Sequence, residues 1–439
     1  MIIYKLLAVI IVFWIMSIII RKDLFSPDSI ICLSYIFAII CAIYNIDNWG
    51  INLHKNTFNL IIYGIFSFLI TSLVFYLFQK KRTISSITKK MQYITVKKYK
   101  LVILNVISLL ILVIYSTYFI KAIGGIGALS NYSKAMELYR SKTMFHHITL
   151  IPSWINFLSK FCRAICYIYT YILINNALIN KNYTKKIHQK NKFEYIFGIM
   201  LYIPLTLMSG GRYDLIVLIL YSLVLLTILY TIENKKRLKT GKILKIGLVL
   251  MIVLIGFSSY RGLVGRTSES TTLDYITEYF GGSIEILDQY LQEKREKPPY
   301  FGQETFAGIR KLMYQIKILD EQGISEDIAE FRMTYSKKVI GNVYTGFRKP
   351  YHDFGIPGVT ILQSLLAFIF NILYYSCFYK KDKYNISFRI IVTSTLFYCL
   401  ALHSYSEAFY CNVLSFNYLM FFIIMAITIR FIERVEIKI

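Results

Sequence analysis

Charged side chains are scarce in this sequence: they make up only 17% of its 439 residues, while 56% of the residues are hydrophobic. A typical soluble domain has about 25% charged residues, so this composition excludes an ordinary soluble fold and indicates a polytopic membrane protein. Acidic residues are the rarer charge, with 25 against 50 basic ones. Because the basic residues gather between apolar runs, they indicate a membrane topology, and we expect no nucleic-acid partner.

The sequence also lacks the motifs of a cofactor or nucleotide site. Its seven cysteines lie in or beside apolar runs, which is typical of small apolar fillers. Cys162 and Cys166 are one residue too far apart for a CxxC pair, and no histidine or further thiol is near enough in sequence to complete a metal site. No glycine-rich phosphate loop is present. We therefore expect neither a metal nor another cofactor.

Eleven apolar runs are long enough to cross a bilayer, which takes roughly 17 to 25 helical residues. They lie near residues 3–20, 29–45, 57–78, 100–120, 153–179, 194–210, 213–232, 243–260, 357–378, 386–403 and 413–431. Pro204 and the break at 209–211 leave open a re-entrant pair in place of the sixth and seventh helices, so the predicted count is 10 to 12. The predicted fold class is an all-α polytopic membrane protein, with one membrane-embedded domain over residues 1–439.

Lysine-rich loops predict the orientation, because cytoplasmic loops carry an excess of lysine and arginine. Such loops lie near residues 80–100, 181–192, 235–242 and 380–389. An even number of predicted spans separates each loop from the next, so all four face the cytoplasm. The opposite face then carries one large loop, about 261–356, in which residues 304–319 have the spacing of an amphipathic helix. The sequences GGS at 281–283 and KPP at 297–299 punctuate this loop.

The predicted outer face is rich in arginine, which the positive-inside bias does not explain. Arginine donates two parallel hydrogen bonds to a phosphate and keeps its charge, so it suits a diphosphate. For any single arginine, anchoring to lipid headgroups or pairing with a carboxylate is the simpler explanation. For Arg212, Arg261, Arg266 and Arg348 together we favour a diphosphate-binding site.

Charged and aromatic side chains alternate in the segment 342–355, NVYTGFRKPYHDFG, just before an apolar run. Aromatic faces stack on sugar rings, and an aspartate or histidine accepts a proton from a sugar hydroxyl. Tyr344, Tyr351 and His352 are therefore candidates for glycan binding, and Asp353 is a candidate general base. An aromatic belt with interfacial charges is the plainer explanation, and it accounts for the rings better than for the dense mixed charges.

A second polar segment, LHSYSEAFYC, places His403 and Glu407 four residues apart, which puts them on one face if the segment is helical. A carboxylate beside the end of a membrane span is a functional candidate. A structural role for Glu407 as the counter-ion of Arg348 explains its position equally well. Both alternatives stay open from the sequence.

Three segments resemble the O-antigen polymerases of the Wzy type, also called oligosaccharide repeat unit polymerases. GNVYTGFRKPYHDFGIPGV is similar to the stretch that precedes a late transmembrane helix in that family. MSGGRYDLIVLI resembles its glycine-arginine turn, and AIGGIGALSNYSKAMELYR resembles its early outer loop. Some members carry an outer arginine followed eleven residues later by a glycine, and no outer arginine here is followed so.

The resemblance implies a glycosyl transfer on the outer face of the bacterial cytoplasmic membrane. The donor would be a polyprenyl-diphosphate-linked glycan, and the acceptor a sugar hydroxyl of another lipid-linked repeat unit, giving O-antigen or capsular polysaccharide. Fixed arginines would stabilise the leaving diphosphate without a metal. In this chain those arginines would be Arg212, Arg261, Arg266 and Arg348, and the base would be Asp353 or Glu407, with His403 as a third candidate.

Two alternatives share this substrate. A lipid-linked oligosaccharide flippase would need no base, and transporters usually show charges in mid-membrane and matched halves, whereas the charges here gather at the outer surface. An O-antigen ligase would use the same donor with another acceptor.

Expected partners of a polymerase are membrane lipid, a chain-length regulator and a flippase.

Overall fold

The structure, a computed structural model, describes residues 2–79, 87, 89–145, 148–182, 191–210, 213–238, 241, 256, 271–320, 330–333, 339–380 and 382–433. Helices dominate this described part of the chain, and its only strands are two short ones that pair antiparallel. The predicted all-α polytopic fold class is confirmed.

Eight described helices are long and apolar enough to cross a membrane. They are α1 (Ile2–Arg21), α2 (Pro27–Tyr44), α4 (Lys55–Gln79), α5 (Lys98–Ala122), α7 (Ser153–Asn182), α9 (Tyr213–Asn234), α12 (Arg348–Tyr379) and α15 (Phe416–Glu433). The remaining elements are α3 (Ile46–Trp49), α6 (Tyr132–Arg140), α8 (Lys192–Met208), α10 (Thr272–Gln292), α11 (Ala307–Gln315), β1 (Arg332–Met333), β2 (Val339–Gly341), α13 (Phe388–Leu396) and α14 (Tyr398–Ala401).

Eight of the eleven predicted runs coincide with the eight long helices. The predicted sixth run forms α8, which has 17 residues and contains Pro204. The predicted tenth run forms the shorter apolar stretch Phe388–Ala401. Apart from residue 256, the predicted eighth run at 243–260 lies outside the described residues.

The chain forms two compact units. Unit 1 consists of Met1–Thr83, Ser270–Ser376 and Leu396–Leu419, and unit 2 consists of Ile84–Glu269, Cys377–Thr395 and Met420–Ile439. The assignment of residues 1–439 to one domain stays a prediction.

In unit 1, α2 packs against both α1 and α10. Gly281 allows a close approach of α10 to α2, because a Cβ atom at this position would lie 2.6 Å from the backbone nitrogen of Ala42 and 2.7 Å from the carbonyl carbon of Cys41. The sequence GGS therefore belongs to a helix interface rather than to a turn in a loop, which corrects the expectation for residues 281–283. Small residues at such positions let two helix backbones pack in contact.

A buried ion pair ties α1 to α2 within unit 1. The Arg21 guanidinium lies 2.5 Å from the carboxylate of Asp28, and both side chains are at most 6% exposed. Arg21 also donates to the hydroxyl of Tyr375 at 2.8 Å and to the carbonyl of Ser72 at 2.5 Å. Because all three guanidinium nitrogens have an acceptor and one of these is a carboxylate, the charge of Arg21 is compensated inside an apolar helix cluster.

Helix α12 begins at Arg348, nine residues before the predicted span at 357. Pro350 is compatible with this start because the first turn of a helix does not need its N–H groups. The helix is kinked at Gly355, which has φ 68°, and Pro357 follows in the next turn. The polar segment 348–354 is therefore a short helix that precedes the apolar part of α12.

In unit 2, α7 packs against α5, α8 and α9. Ahead of α5, the non-helical segment 89–97 is fastened to α7 by two buried asparagines. Asn176 accepts from the backbone N–H of Ile94 at 2.9 Å and donates to its carbonyl at 2.8 Å, while Asn175 donates to the carbonyl of Gln92 at 2.9 Å. These hydrogen bonds satisfy backbone groups that an extended segment outside a β-sheet would otherwise leave unpaired.

Candidate functional site

Unit 1 contains a polar cavity of about 800 Å³. Four stretches of chain line it: the segment after α10, the residues leading into α11, the start of α12 and the turn after α14. The lining residues are 295–299, 303, 304, 307, 330, 342–345, 348, 349, 352, 405–407, 411 and 412. Both polar segments singled out in the sequence therefore reach one cavity, although about fifty residues separate them.

Arg348 lies on one wall of the cavity and is only 8% exposed. Its guanidinium contacts the Glu304 carboxylate through two nitrogens, at 2.5 Å and 3.1 Å. The same group lies 5.0 Å from the ring centre of Tyr290 and 4.8 Å from that of Tyr344. Glu304, and not Glu407, is thus the counter-ion of Arg348, and the two aromatic rings hold the guanidinium in place.

A second charged cluster lies beside Tyr290 and Tyr344. Arg295 stacks on the Tyr290 ring at 4.7 Å, and Nε of Arg332 donates to the Tyr344 hydroxyl at 3.0 Å. Both arginines pair with Glu293 and with Glu330, which makes four ion pairs in all. Hydrogen bonding from Arg332 lowers the pKa of Glu293 to about 2, and hydrogen bonding from Arg295 lowers the pKa of Glu330. These carboxylates stay ionised and are poor candidates for a base.

His352 lies between Tyr290 and Glu304. Its Nδ1 lies 2.5 Å from the Tyr290 hydroxyl, and its Nε2 lies 3.5 Å from the Glu304 carboxylate. Burial raises the pKa of Tyr290 to about 12, so its phenol stays protonated and is able to donate to His352. The imidazole is fixed between a neutral donor and a carboxylate.

Asp353 does not line the cavity. Its carboxylate accepts from the backbone N–H of Thr305 at 2.7 Å and of Glu304 at 3.2 Å. Because these bonds fix the backbone of Glu304, Asp353 acts on Arg348 through Glu304. This geometry favours a positioning role over the predicted role of general base.

Glu407 lines the cavity and is 4% exposed. Its two carboxylate oxygens accept from the backbone N–H of Tyr410 at 2.9 Å and of Cys411 at 2.8 Å. Burial raises the pKa of Glu407 to about 7, although these hydrogen bonds favour the charged form. A carboxyl that exchanges its proton near neutral pH has the property required of a general base.

His403 is fully buried and lies outside the cavity lining. The chain leaves the helical conformation after Ala401, so His403 and Glu407 do not share a helix face, which corrects that expectation. The imidazole contacts the Tyr35 hydroxyl at 3.0 Å and the Gln363 amide at 3.1 Å, and burial lowers its pKa to about 3. This side chain packs in the core, where a Cβ on Gly346 would lie 2.6 Å from its Nε2.

The remaining predicted residues fall into two groups. Tyr351 packs against the buried cluster of Ile286, Tyr290, Ile340 and Tyr344 rather than against the cavity. Arg212, Arg261 and Arg266 lie outside the described residues, so their role in diphosphate binding stays a prediction. Among the described residues, no group of three histidine, cysteine, aspartate or glutamate side chains is placed to hold a metal ion.

Comparison with known protein families shows to which family the chain belongs. The model of a family described as "Putative O-antigen polymerase" matches residues 23–398, which is most of the sequence. The chain belongs to the O-antigen polymerase family. No curated protein and no solved structure matches it significantly.

The family assignment makes this protein a polymerase of oligosaccharide repeat units and does not favour the flippase and ligase alternatives. It also implies a lipid-linked oligosaccharide substrate in a multi-pass membrane protein. The family match includes the polymerase's Arg348, His352 and Asp353 but ends before Glu407.

Several residues that line the cavity of the polymerase or contact its lining carry no recognisable sequence signal. Glu304 lies 44 residues before its partner Arg348, and Tyr290 belongs to a helix with no polar motif. Glu293 and Arg295 follow that helix in the polar run QEKREK. The one usable signal was the excess of arginine in the predicted outer loop, which includes Arg295 and Arg332.

Proposed function

We propose that the polymerase transfers a glycan from polyprenyl diphosphate to a sugar hydroxyl in the 800 Å³ cavity of unit 1, on the outer face of the cytoplasmic membrane. The observation that carries this proposal is that the buried Glu407 carboxyl lines the same cavity as Arg348 and Lys349. Burial raises the pKa of this carboxyl to about 7. Such a cavity combines a proton acceptor with cations for a leaving group. Positive-inside bias of the lysine loops supports the outward orientation.

The reaction forms one bond and breaks one. The acceptor hydroxyl gives its proton to the ionised Glu407, and its oxygen attacks the anomeric carbon of the donor. The bond from that carbon to the diphosphate oxygen breaks, and the electron pair leaves with polyprenyl diphosphate. Glu407 then returns the proton to water, so the enzyme is regenerated with both atoms and charge balanced.

Cations of the cavity would bind the diphosphate. Arg348 is held rigidly between Tyr290 and Tyr344, and Lys349 Nζ lies 2.9 Å from Cys411 Sγ, the residue that donates its backbone N–H to Glu407. A diphosphate carries more charge than a carboxylate and replaces Glu304 as the partner of the Arg348 guanidinium. Because Arg348 is fixed before substrate binds, little reorganisation is needed when charge develops on the leaving group.

Sugar contacts come from the rings and amides of the same cavity. Tyr344 and His352 line it, and Tyr405 lies on the side of Glu407. Aromatic faces and convergent polar groups are the usual lining of a small-molecule site. The repeat unit would therefore lie between the two polar segments, with its reacting hydroxyl toward Glu407.

The decisive experiment uses the purified full-length protein in lipid vesicles that contain synthetic lipid-linked repeat units. Products are resolved by electrophoresis after incubation with a diphosphate-linked or a monophosphate-linked donor. We expect a ladder of chains with the diphosphate donor only, and no ladder with Glu407→Gln. Glu137→Gln removes an exposed carboxyl of α6 and serves as the matched control, with full activity expected.

Three results would contradict the proposal. Equal ladders from both donors would exclude the diphosphate as the required leaving group. An active Glu407→Gln would exclude Glu407 as the base. Movement of a single repeat unit across the vesicle membrane without chain growth would favour transport over glycosyl transfer.

A further inference from the structure

A second cavity, of about 310 Å³, lies in unit 2 and has a polar side and an aliphatic side. Lys89 and Lys90 contribute the charges of the polar side, together with Asp382. Leu229, Ile232 and Ile390 contribute the aliphatic side. None of these residues takes part in the proposed glycosyl transfer.

Two lysines and one aspartate are the charged residues that line this cavity. The Lys89 ammonium pairs with the Asp382 carboxylate and contacts the Ser387 hydroxyl at 3.3 Å. Arg389 lies 3.4 Å from the same carboxylate, and the Glu433 carboxylate accepts from the backbone N–H of Ile386 at 2.8 Å. Lys90, whose side chain is exposed, adds a further positive charge at the cavity. An anion placed here would meet Lys90 beside the Lys89 ammonium.

The wall that carries these lysines is fixed. Asn175 and Asn176 fasten the segment 89–97 to α7 and are each 1% exposed. Because the backbone next to Lys89 and Lys90 is held by buried amides, little ordering is required when a ligand binds.

The cavity lies where membrane-spanning helices end. Asn175 is in the last two turns of α7, and Leu229 and Ile232 are in the last two turns of α9. Ends of spans lie near the headgroup level of a bilayer. A ligand at this position meets cations on one side and aliphatic side chains on the other, which is the environment that an amphiphile requires.

We propose that this cavity binds one anionic phospholipid, with its phosphate at Lys89 and Lys90 and the start of an acyl chain along Leu229, Ile232 and Ile390. Basic pockets between membrane helices are suited to acidic headgroups, and each lysine near the surface contributes roughly a fivefold gain in affinity. A free phosphate would use the cations but not the aliphatic wall, so the lipid is the better fit.

Binding is tested with the full-length protein in neutral detergent and a fluorescent short-chain phosphatidylglycerol, with phosphatidylcholine of the same chain length as the zwitterionic comparison. We expect saturable binding of the anionic lipid, weak binding of the zwitterionic one, and affinity about fivefold lower for Lys90→Gln. The matched control Lys236→Gln removes another exposed lysine of unit 2 and should leave the affinity unchanged. Inorganic phosphate should compete poorly.

Each other outcome overturns the proposal. Equal competition by inorganic phosphate would show that the site takes a simple anion. Equal losses for Lys90→Gln and Lys236→Gln would show that diffuse surface charge, not this cavity, attracts the lipid. Unchanged affinity in Lys90→Gln would remove the cavity from lipid binding. Polymerisation is not needed for any of these readouts, so they are independent of the proposed glycosyl transfer.

Discussion

The carboxylate of Glu304 holds the guanidinium of Arg348 with two contacts, and Asp353 accepts a hydrogen bond from the backbone N–H of Glu304. The two partners of the ion pair are 17% and 10% exposed at their side chains. A charge pair this well shielded is sensitive to the loss of one partner, since the other charge is left buried without compensation.

Arg348→Ala should lower the free energy of unfolding by about 1–3 kcal/mol, because the largely shielded Glu304 carboxylate loses both contacts with the guanidinium. The double variant Arg348→Ala with Glu304→Gln should recover much of that loss. Thermal unfolding in detergent measures both. Arg332→Ala breaks ion pairs with more exposed carboxylates and is the comparison, with about 1 kcal/mol or less expected. Equal stability of the single and double variants would show that the pair is not coupled.

Polymerisation should become faster as pH rises through about 7, because Glu407 accepts a proton only in its ionised form. The rate of chain growth in vesicles, measured at saturating donor, gives the profile. The variant Glu407→Gln should lose the rate at every pH. A profile that is flat between pH 6 and pH 8 at constant protein stability would rule out Glu407 as the titrating base.

Stability should change in the opposite direction to activity. The pKa of Glu407 is higher in the folded protein than in the unfolded chain, so the folded state binds the proton more tightly. The contribution of this group is fully present below its ordinary pKa and is lost as pH rises through about 7. Melting temperature should therefore fall over this interval, and Glu407→Gln should reduce the fall. An identical fall in the variant would assign it to other groups.

Asp353→Asn separates the positioning role of Asp353 from the role of general base. The asparagine keeps one acceptor oxygen for the backbone N–H of Thr305, so we expect retained polymerisation with an unchanged pH profile and a stability loss of about 1 kcal/mol. Asp353→Ala removes both acceptors and should reduce the rate further by releasing Glu304. If Asp353→Asn is as inactive as Glu407→Gln, Asp353 is the better candidate for the base.

Gly281→Ala should destabilise unit 1, because the added Cβ would lie 2.6 Å from a backbone atom of α2 that is unable to move aside. Overpacking of this kind costs about 1–3 kcal/mol. Gly127→Ala is the control, since its Cβ would have no neighbour within 4 Å. Melting of the two variants in the same detergent makes the comparison, and equal melting temperatures would contradict a tight contact between α2 and α10.

Most of the helices could be predicted from the sequence, because membrane spans are encoded in the length of local apolar runs. The positions at which helices begin or end in polar segments could not be predicted. Helix α12 starts nine residues early, since the segment 348–354 is polar enough to read as a loop and yet forms a helical turn before the kink at Gly355. Gly281 was misplaced for the reverse reason: glycine marks a turn in a water-exposed chain but a close contact between buried helices.

The candidate site was predicted only in part. Arg348 and Glu407 stood out because charges beside apolar runs are conspicuous. Their partners did not, because Glu304 and Tyr290 come from distant segments that only tertiary packing brings to Arg348. His403 was attractive in the sequence as a titratable residue near Glu407. Burial instead lowers the pKa of the His403 imidazole, so this side chain stays neutral and does not titrate near neutral pH.

The size of the cavity in unit 1 has a consequence for the polymer itself. On the proposed mechanism, only the sugars next to the reacting bond fit inside, because a volume of about 800 Å³ encloses a molecule of ordinary ligand size. The rest of a growing chain lies in solvent, and each addition meets the same walls whether few or many units have gone before. In such an enzyme the rate of each addition does not depend on the length of the chain. With a constant chance of release after every step, the products would follow an exponential distribution, and any preferred length must be imposed by something other than this cavity.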